Sequence, residues 1–279
     1  MSIEAYYQPK SLNDAVNLLA DHGQTVLVMA GGTIAMPLIN EGITHPERVM
    51  GLRQAGLAYL KKTDEMVSIG PMTTITQIQA WKEIPLLQTA ARHVGGWAVR
   101  NMGTVGGNLF APPPAGDLAV ALLVLDAHVI LAKAGSERVI PLVDFYTGYM
   151  ATALVPGELV TEIQVKYPAG ETGYNKYGRK AANTPAVVTV AAHITREGEL
   201  VREARLALNA VGPHPFRATQ AETSLIGSKL DDQSIAQAAL LAQEQAEPFT
   251  DAIASEWYRR KMTEVLVRRT LAEIVEQER

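Results

Sequence analysis

Two glycine pairs constrain this chain more than any other feature. The first lies in Ala30-Gly31-Gly32-Thr33, directly behind the apolar run Val26 to Met29. The second lies in Gly103-Thr104-Val105-Gly106-Gly107-Asn108. A strand that halts at adjacent glycines needs either a bend or a bare backbone there. Bare backbone suits a diphosphate, because N–H groups approach closely only where no Cβ intervenes. A helix start behind the bend adds free N–H groups and a favourable dipole. Thr33, Thr104 and Asn108 can donate further hydrogen bonds. Taken singly, each pair reads as an ordinary turn. Two such bends together suit one extended diphosphate ligand held across a cleft. Neither matches G-x-G-x-x-G, and no Lys-Ser or Lys-Thr follows the glycines, so a nicotinamide Rossmann site and a P-loop are disfavoured.

Composition narrows the chemistry. The 279 residues suit one large domain or two to three small ones, and 47% hydrophobic content supplies a core. A net charge of −4 gives no basic field for nucleic acid. The one basic cluster, residues 259 to 269, reads at helical spacing as a solvated face. The absence of cysteine removes disulfides, thiolate zinc sites, cysteine-bound iron–sulfur clusters and a cysteine nucleophile from this chain. The six histidines are scattered without ligand spacing, so no metal site is expected. No serine has a G-x-S-x-G setting, and no catalytic residue is assigned. Trp81, Trp97 and Trp257 read as core or interface residues. The apolar stretch 118–125 is too short to span a bilayer, and the first ten residues lack an apolar signal core, so a soluble cytoplasmic protein is expected.

Along the chain, Ser11 with Asp14 predicts a helix start and Gly23 its end. A strand from Thr25 to Met29, the Gly31-Gly32 turn and a short helix over 34–42 follow. Residues 57–70 read as two strands joined at Thr63-Asp64-Glu65, with Thr73 or Thr74 capping a helix that leads to Trp81. A helix over 85–94 stops at Gly95-Gly96. Ala111-Pro-Pro-Pro-Ala-Gly-Asp117 forces an extended, rigid turn. Asp117 is expected to cap the apolar helix behind it, although its carboxylate could instead accept from a sugar-like hydroxyl, and both can hold together. A strand over 127–134 follows. The texture changes at 168–173, a candidate domain boundary. Beyond it, strands over 186–194 and 204–212 and then two or three helices predict an α+β C-terminal domain. Lys176 and Arg179 near the boundary read either as a charged strand edge or as cations near an electron-rich ring or a phosphate.

Assembled, these segments resemble the FAD-binding medium subunit of the molybdenum hydroxylases, the group of carbon monoxide dehydrogenase and xanthine dehydrogenase. The resemblance runs through YYQPKSLNDAVNLLADHG (6–23), AGGTIAMPLI (30–39), SIGPMTTITQI (68–78) and VRNMGTVGGNLFAPPPAGDLAVALLVLDA (99–127). It continues in PGELVTEIQV (156–165), KYGRKAANTPAVVTVAA (176–192), NAVGPHPFRATQAETSLIG (209–227) and SEWYRRKMTEVLVRRTL (255–271). It implies an α+β chain: FAD-binding subdomains at 1–56 and 57–172, then a small C-terminal domain at 173–279 with an antiparallel sheet and helices. By similarity, Val28, Met29, Ala30, Gly31, Gly32, Thr33, Ile34 and Ala35, with Thr104, Val105, Gly106, Gly107 and Asn108, would line the FAD diphosphate. Asp117 would sit on the ribityl or adjacent atoms, Leu159 or Val160 near the flavin ring, and Lys176 at a cofactor contact. Phe110 with its three prolines, Gly51, and Thr184-Pro185 depart from residues commoner in such subunits.

The resemblance also explains the missing cysteines. It implies that the 2Fe–2S clusters and the molybdenum cofactor reside in a small and a large partner subunit, in a dimer of heterotrimers. The chain would be an oxidoreductase subunit, passing electrons from the clusters through flavin to an external acceptor. Two alternatives stay open: a stand-alone flavoprotein oxidase, and a non-enzymatic scaffold subunit whose glycines are only turns.

Overall fold

In a computed structural model, which describes residues 3–277, the chain folds as an α+β protein around three main sheets arranged in chain order. The first sheet is small and parallel. Its strands β1 (Ala5–Tyr7), β2 (Val26–Met29) and β3 (Arg48–Gly51) lie in the order β1-β3-β2. Parallel neighbours require crossovers, and α1 (Leu12–His22) and α2 (Ala35–Asn40) lie in the connections. Ser11 starts α1 by accepting from the Asp14 N–H at 3.0 Å, and Ala15, Val16 and Leu19 bury its apolar face. Strands β1 and β3 escape a pattern-based reading because they are short and pair in parallel, with no hairpin turn to mark them as one marks the comparably short strand Leu60–Lys62.

The second sheet has the order β4-β5-β10-β6-β7, from β4 (Leu60–Lys62), β5 (Met66–Ile69), β6 (His128–Lys133), β7 (Ser136–Pro141) and β10 (Leu159–Lys166). Every pairing in it is antiparallel. Between β5 and β6 run α3 (Ile75–Ala80), α4 (Pro85–His93), α5 (Trp97–Met102), α6 (Val105–Leu109) and α7 (Asp117–Val124); a two-stranded ribbon of β8 (Tyr146–Gly148) and β9 (Ala151–Thr152) follows β7. Thr74 caps α3 through a reciprocal capping box with Gln77. All eight residues of α7 are buried. That fits an apolar helix sandwiched between layers.

The third sheet, β11 (Glu171–Gly178), β12 (Ala186–Glu197), β13 (Leu200–Asn209) and β14 (Phe216–Arg217), is an antiparallel meander. It is backed by α8 (Thr219–Leu225), α9 (Asp232–Gln245) and α10 (Glu256–Glu276). Its other face meets α7: Tyr174, Ala191 and Ala207 belong to the same apolar cluster as Leu118 to Leu125. The C-terminal sheet therefore forms a wall against the middle of the chain.

The basic cluster 259–269 is only partly a solvated face. Lys261, Arg268 and Arg269 are exposed, but Arg259 is fully buried. Its guanidinium donates to the carbonyls of Ala186, Val187 and Ala210 at 2.8 to 3.1 Å and twice to Asp251 at 2.9 Å. The ends of β12 and β13 supply three buried acceptors at one point, and the planar fork of arginine can meet them. Trp97 and Trp257 are exposed, so neither is a core residue.

Arg259→Leu is expected to destabilise the chain by about 3–5 kcal/mol in urea unfolding, because the Asp251 carboxylate and three carbonyls lose their partner. Arg268→Ala, at an exposed i,i+4 pair with Glu264, is expected to change stability by no more than about 0.5 kcal/mol. Burial pulls the Asp251 carboxyl up, but the Arg259 bonds and the Ala254 and Ile253 N–H groups outweigh it and hold it below its ordinary value. The folded state thus gains stability above the ordinary aspartate range and loses it as pH falls through the lowered value. The acid limb of the stability profile should flatten in Arg259→Leu.

Candidate functional site

The site grows out of the contact between the two glycine bends. Strand β2 ends at Met29 and the chain turns at Gly31-Gly32 before α2 begins. Gly31 lies so close to the Met102 carbonyl and the Gly103 Cα that no Cβ would fit. Gly32 has φ +74, a left-handed value that disfavours any other residue. A Cβ on Gly107 would lie 3.6 Å from that of Ala30, so the second bend faces the first.

The two bends differ in what their backbones offer. Among the described residues, the N–H groups of Gly31, Gly32, Thr33, Ile34 and Ala35 donate to no protein acceptor. In the second bend the amides from Val105 to Asn108 are already used. Val105 donates to the Thr73 carbonyl, Gly106 to Pro71, Asn108 to Thr104, and Gly107 to the Thr104 hydroxyl. Glycine is needed at 106 because a Cβ there would strike Pro71. The first bend is thus a run of free donors, which is what an anion requires. The second is a packed shelf opposite it.

Between them opens a cleft of about 860 Å3, at the upper end of the range for small-molecule sites. Val28 to Ala35, Thr104, Gly106, Gly107, Asn108, Asp117, Leu159 and Val160 all line it. Val105 does not: it is fully buried in the apolar core. Lys176 does not either, and stands one layer behind Asp117. Phe110, Met150, Glu158, Asn183, Thr184 and Pro185 also line the cleft. The sequence singled out Phe110 and Thr184-Pro185 only as departures from a pattern.

Asp117 is not the cap of α7. Gly116, at φ 85, takes the cap position, and the free N–H of Leu118 goes to the Asn108 side-chain oxygen at 2.9 Å. The Asp117 side chain turns toward the C-terminal sheet instead. Its Oδ2 accepts from Lys176 Nζ at 2.7 Å and its Oδ1 from the Thr189 hydroxyl at 3.2 Å. Lys176 also donates to the His93 carbonyl at 2.9 Å, and the Tyr174 hydroxyl donates to the Asp117 carbonyl at 3.1 Å. Both charged side chains are 6% exposed. Burial pushes the Asp117 carboxyl up from its ordinary value, while Lys176 and Thr189 oppose that shift. This buried pair joins the floor of the cleft to strands β11 and β12. Arg179 stands apart from it and donates to the Ala252 carbonyl at 3.4 Å.

The other charged residue lining the cleft, Glu158, is also held. Arg138 donates to both its oxygens at 2.7 and 2.8 Å, and the Val155 N–H adds a third bond. The Arg138 bonds come first among the forces that keep the Glu158 carboxyl below its ordinary value. The cradle fits an uncharged ring and a diphosphate: free amides at one bend, no free anion in the wall, and apolar side chains elsewhere.

Lys176→Met should cost about 3–5 kcal/mol in chemical unfolding, since it strands a buried carboxylate. Asp117→Asn in the same background should recover more than about 1 kcal/mol of that loss, a coupling that a double-mutant cycle measures.

Comparison with known proteins gives the family. Residues 1–168 match the family described as "FAD binding domain in molybdopterin dehydrogenase", and residues 173–274 match "CO dehydrogenase flavoprotein C-terminal domain". The chain is 33% identical to the glyceraldehyde dehydrogenase medium chain of Sulfolobus acidocaldarius, over 97% of this chain and 98% of that one. It is 31% identical to the carbon monoxide dehydrogenase medium chain of Afipia carboxidovorans, over 95% and 94%. A chain of the Hydrogenophaga pseudoflava carbon monoxide dehydrogenase lacking the Mo-pyranopterin moiety superposes with a TM-score of 0.94 at 28% identity, covering 99% and 98% of the two chains. Among the described residues no helix is long and apolar enough to cross a membrane. The chain therefore belongs to the molybdenum hydroxylase flavoproteins, as the FAD-binding, electron-transferring medium subunit of an oxidoreductase complex.

Proposed function

We propose that FAD lies along the cleft with its diphosphate against the free amides of Gly31 to Ala35. Gly106, Gly107, Thr104 and Asn108 form the opposing shelf, and the flavin end reaches Leu159 and Val160. The single observation that carries this reading is the run of unpaired N–H groups facing a glycine shelf. When bound, FAD supplies a ring that takes up and releases electrons. The chain supplies position and surroundings. The Gly31–Ala35 amides fix the anionic centre, and Phe110, Leu159 and Val160 exclude water from the wall. Lys176 and Arg138 hold the two carboxylates that line the cleft, so neither Asp117 nor Glu158 is assigned as a general acid or base.

In this reading the chain divides at 1–56, 57–172 and 173–279. It works in the cytoplasm beside a small 2Fe–2S subunit and a large molybdopterin-binding subunit, in a dimer of heterotrimers. Electrons arrive from the clusters and leave to an external acceptor. Relatives that act on different substrates share this chain's length and fold, which supports placing substrate choice in the molybdenum subunit.

Gly107→Ala tests the cofactor position. The residue is helical with φ below zero, and the added methyl meets only Thr104 Oγ1 at 3.2 Å and Ala30 Cβ at 3.6 Å. The fold should keep its stability to within about 1 kcal/mol. FAD affinity, measured by fluorescence titration of the apoprotein, should fall about tenfold or more because the methyl narrows the gap between the bends. Unchanged affinity would place the diphosphate elsewhere.

A further inference from the structure

Strand β10 carries Leu159 and Val160 into the cleft wall and then breaks register. Against β6, Val160 pairs with Leu131 while Glu162 pairs with Ile130, so Thr161 is an extra residue. Leu159, Val160 and Thr161 are all buried, so the extra residue sits inside the fold rather than at its surface. A bulge of this kind re-aims the residues beside it, and it holds its shape only if the extra residue is tied down. The Thr161 hydroxyl donates to the Ile130 carbonyl at 3.2 Å on one side. On the other side stands Tyr59, whose hydroxyl donates to Glu162 Oε2 at 2.7 Å and lies 3.3 Å from the Thr161 carbonyl.

The Glu162 carboxylate is fully engaged. Its second oxygen accepts from Ser68 at 2.8 Å and from Gln164 at 2.7 Å. Burial pulls this carboxyl up, but the donated bonds outweigh it and keep it below its ordinary value. Burial and the neighbouring carboxylate push the Tyr59 hydroxyl well up, so it keeps its proton and donates. Lys61 stands over the Tyr59 ring, 4.5 Å from its centre.

The same tyrosine braces the other side of the cleft through its backbone. Its carbonyl accepts from Gly70 N–H and from the Thr73 hydroxyl, each at 2.8 Å. The Thr73 carbonyl in turn receives the Val105 N–H at the second glycine bend, at 2.9 Å. One residue thus ties the bulge beside Leu159-Val160 to the shelf formed by Thr104 to Asn108.

We propose that Tyr59 and Glu162 are a positioning pair for the flavin. They lock the β10 bulge so that Leu159 and Val160 meet the ring at a fixed distance from the glycine shelf. The pair touches no cofactor atom and acts through the bulge. The inference rests on the reading that places the flavin end against Leu159 and Val160.

The test uses the full chain in its complex, with Tyr59→Phe, Glu162→Gln, Ser68→Ala and Leu159→Ala. The readouts are the visible circular dichroism of bound FAD, FAD dissociation and thermal melting. Leu159→Ala reports whether the ring is where the reading puts it. Ser68→Ala removes one bond to the other oxygen of the same carboxylate and leaves the Tyr59–Glu162 bond in place, and so separates that bond from a general loosening of the carboxylate. Tyr59→Phe and Glu162→Gln are expected to change the flavin bands in the same sense as Leu159→Ala and to weaken FAD about threefold to tenfold, a fraction of one charge-assisted hydrogen bond. Ser68→Ala should leave the bands close to wild type. The inference is overturned if Tyr59→Phe and Glu162→Gln leave the bands unchanged while Leu159→Ala moves them, or if Ser68→Ala moves them as far. If Leu159→Ala is silent, the cofactor placement itself fails and the inference falls with it.

Discussion

The cleft depends on the contact of one bend with another, Gly31 against the Met102 carbonyl and Gly103. Gly31 could accept no side chain there, so the two backbones meet without padding. That contact fixes where β2 ends relative to the α5–α6 junction, and therefore how wide the cleft between the first and second sheets can be. Among the described residues, the five amides from Gly31 to Ala35 have no protein acceptor. Unpaired backbone donors inside a fold are unfavourable unless something meets them. Half-exposed at the mouth of a large cleft, these amides are placed where a bound anion would use them.

The C-terminal sheet matters to this cleft although little of it lines the wall. Its strands reach the cleft floor through the Lys176–Asp117 pair and through Asn209, which donates to the Ala115 carbonyl at 2.7 Å. Arg259 gathers the ends of β12 and β13 just behind Thr184 and Pro185. Buried charge is expensive, and a buried pair seldom adds much net stability over an apolar one. What the Lys176–Asp117 pair adds is direction: with Thr189 it ties β11 and β12 to the start of α7.

Much of this was legible in the sequence, and the parts that were not share physical causes. Both glycine bends, α1, α3, the β4–β5 hairpin and the long strands β12 and β13 announce themselves by caps, turns and apolar runs. The three-residue β1 is too short to show a period and, pairing in parallel, lacks the hairpin turn that marks the equally short β4. The direction of Asp117 was not readable, because an acid at a helix start is ordinarily a cap, and only the fold shows Asn108 doing that work and Lys176 waiting on the other side. Arg259 was hidden in a run of basic residues whose neighbours are solvated. The difference between the two bends was also invisible: Gly32 and Gly107 look alike in sequence, yet one precedes free amides and the other sits among amides already bonded to Thr73, Pro71 and Thr104.

That difference offers the most direct measurement. Site-resolved amide hydrogen exchange of the chain, with and without FAD, should show the cofactor slowing exchange at Gly31 to Ala35 far more than at Val105 to Asn108. Protection appearing at the second bend while the first stays fast would contradict the account.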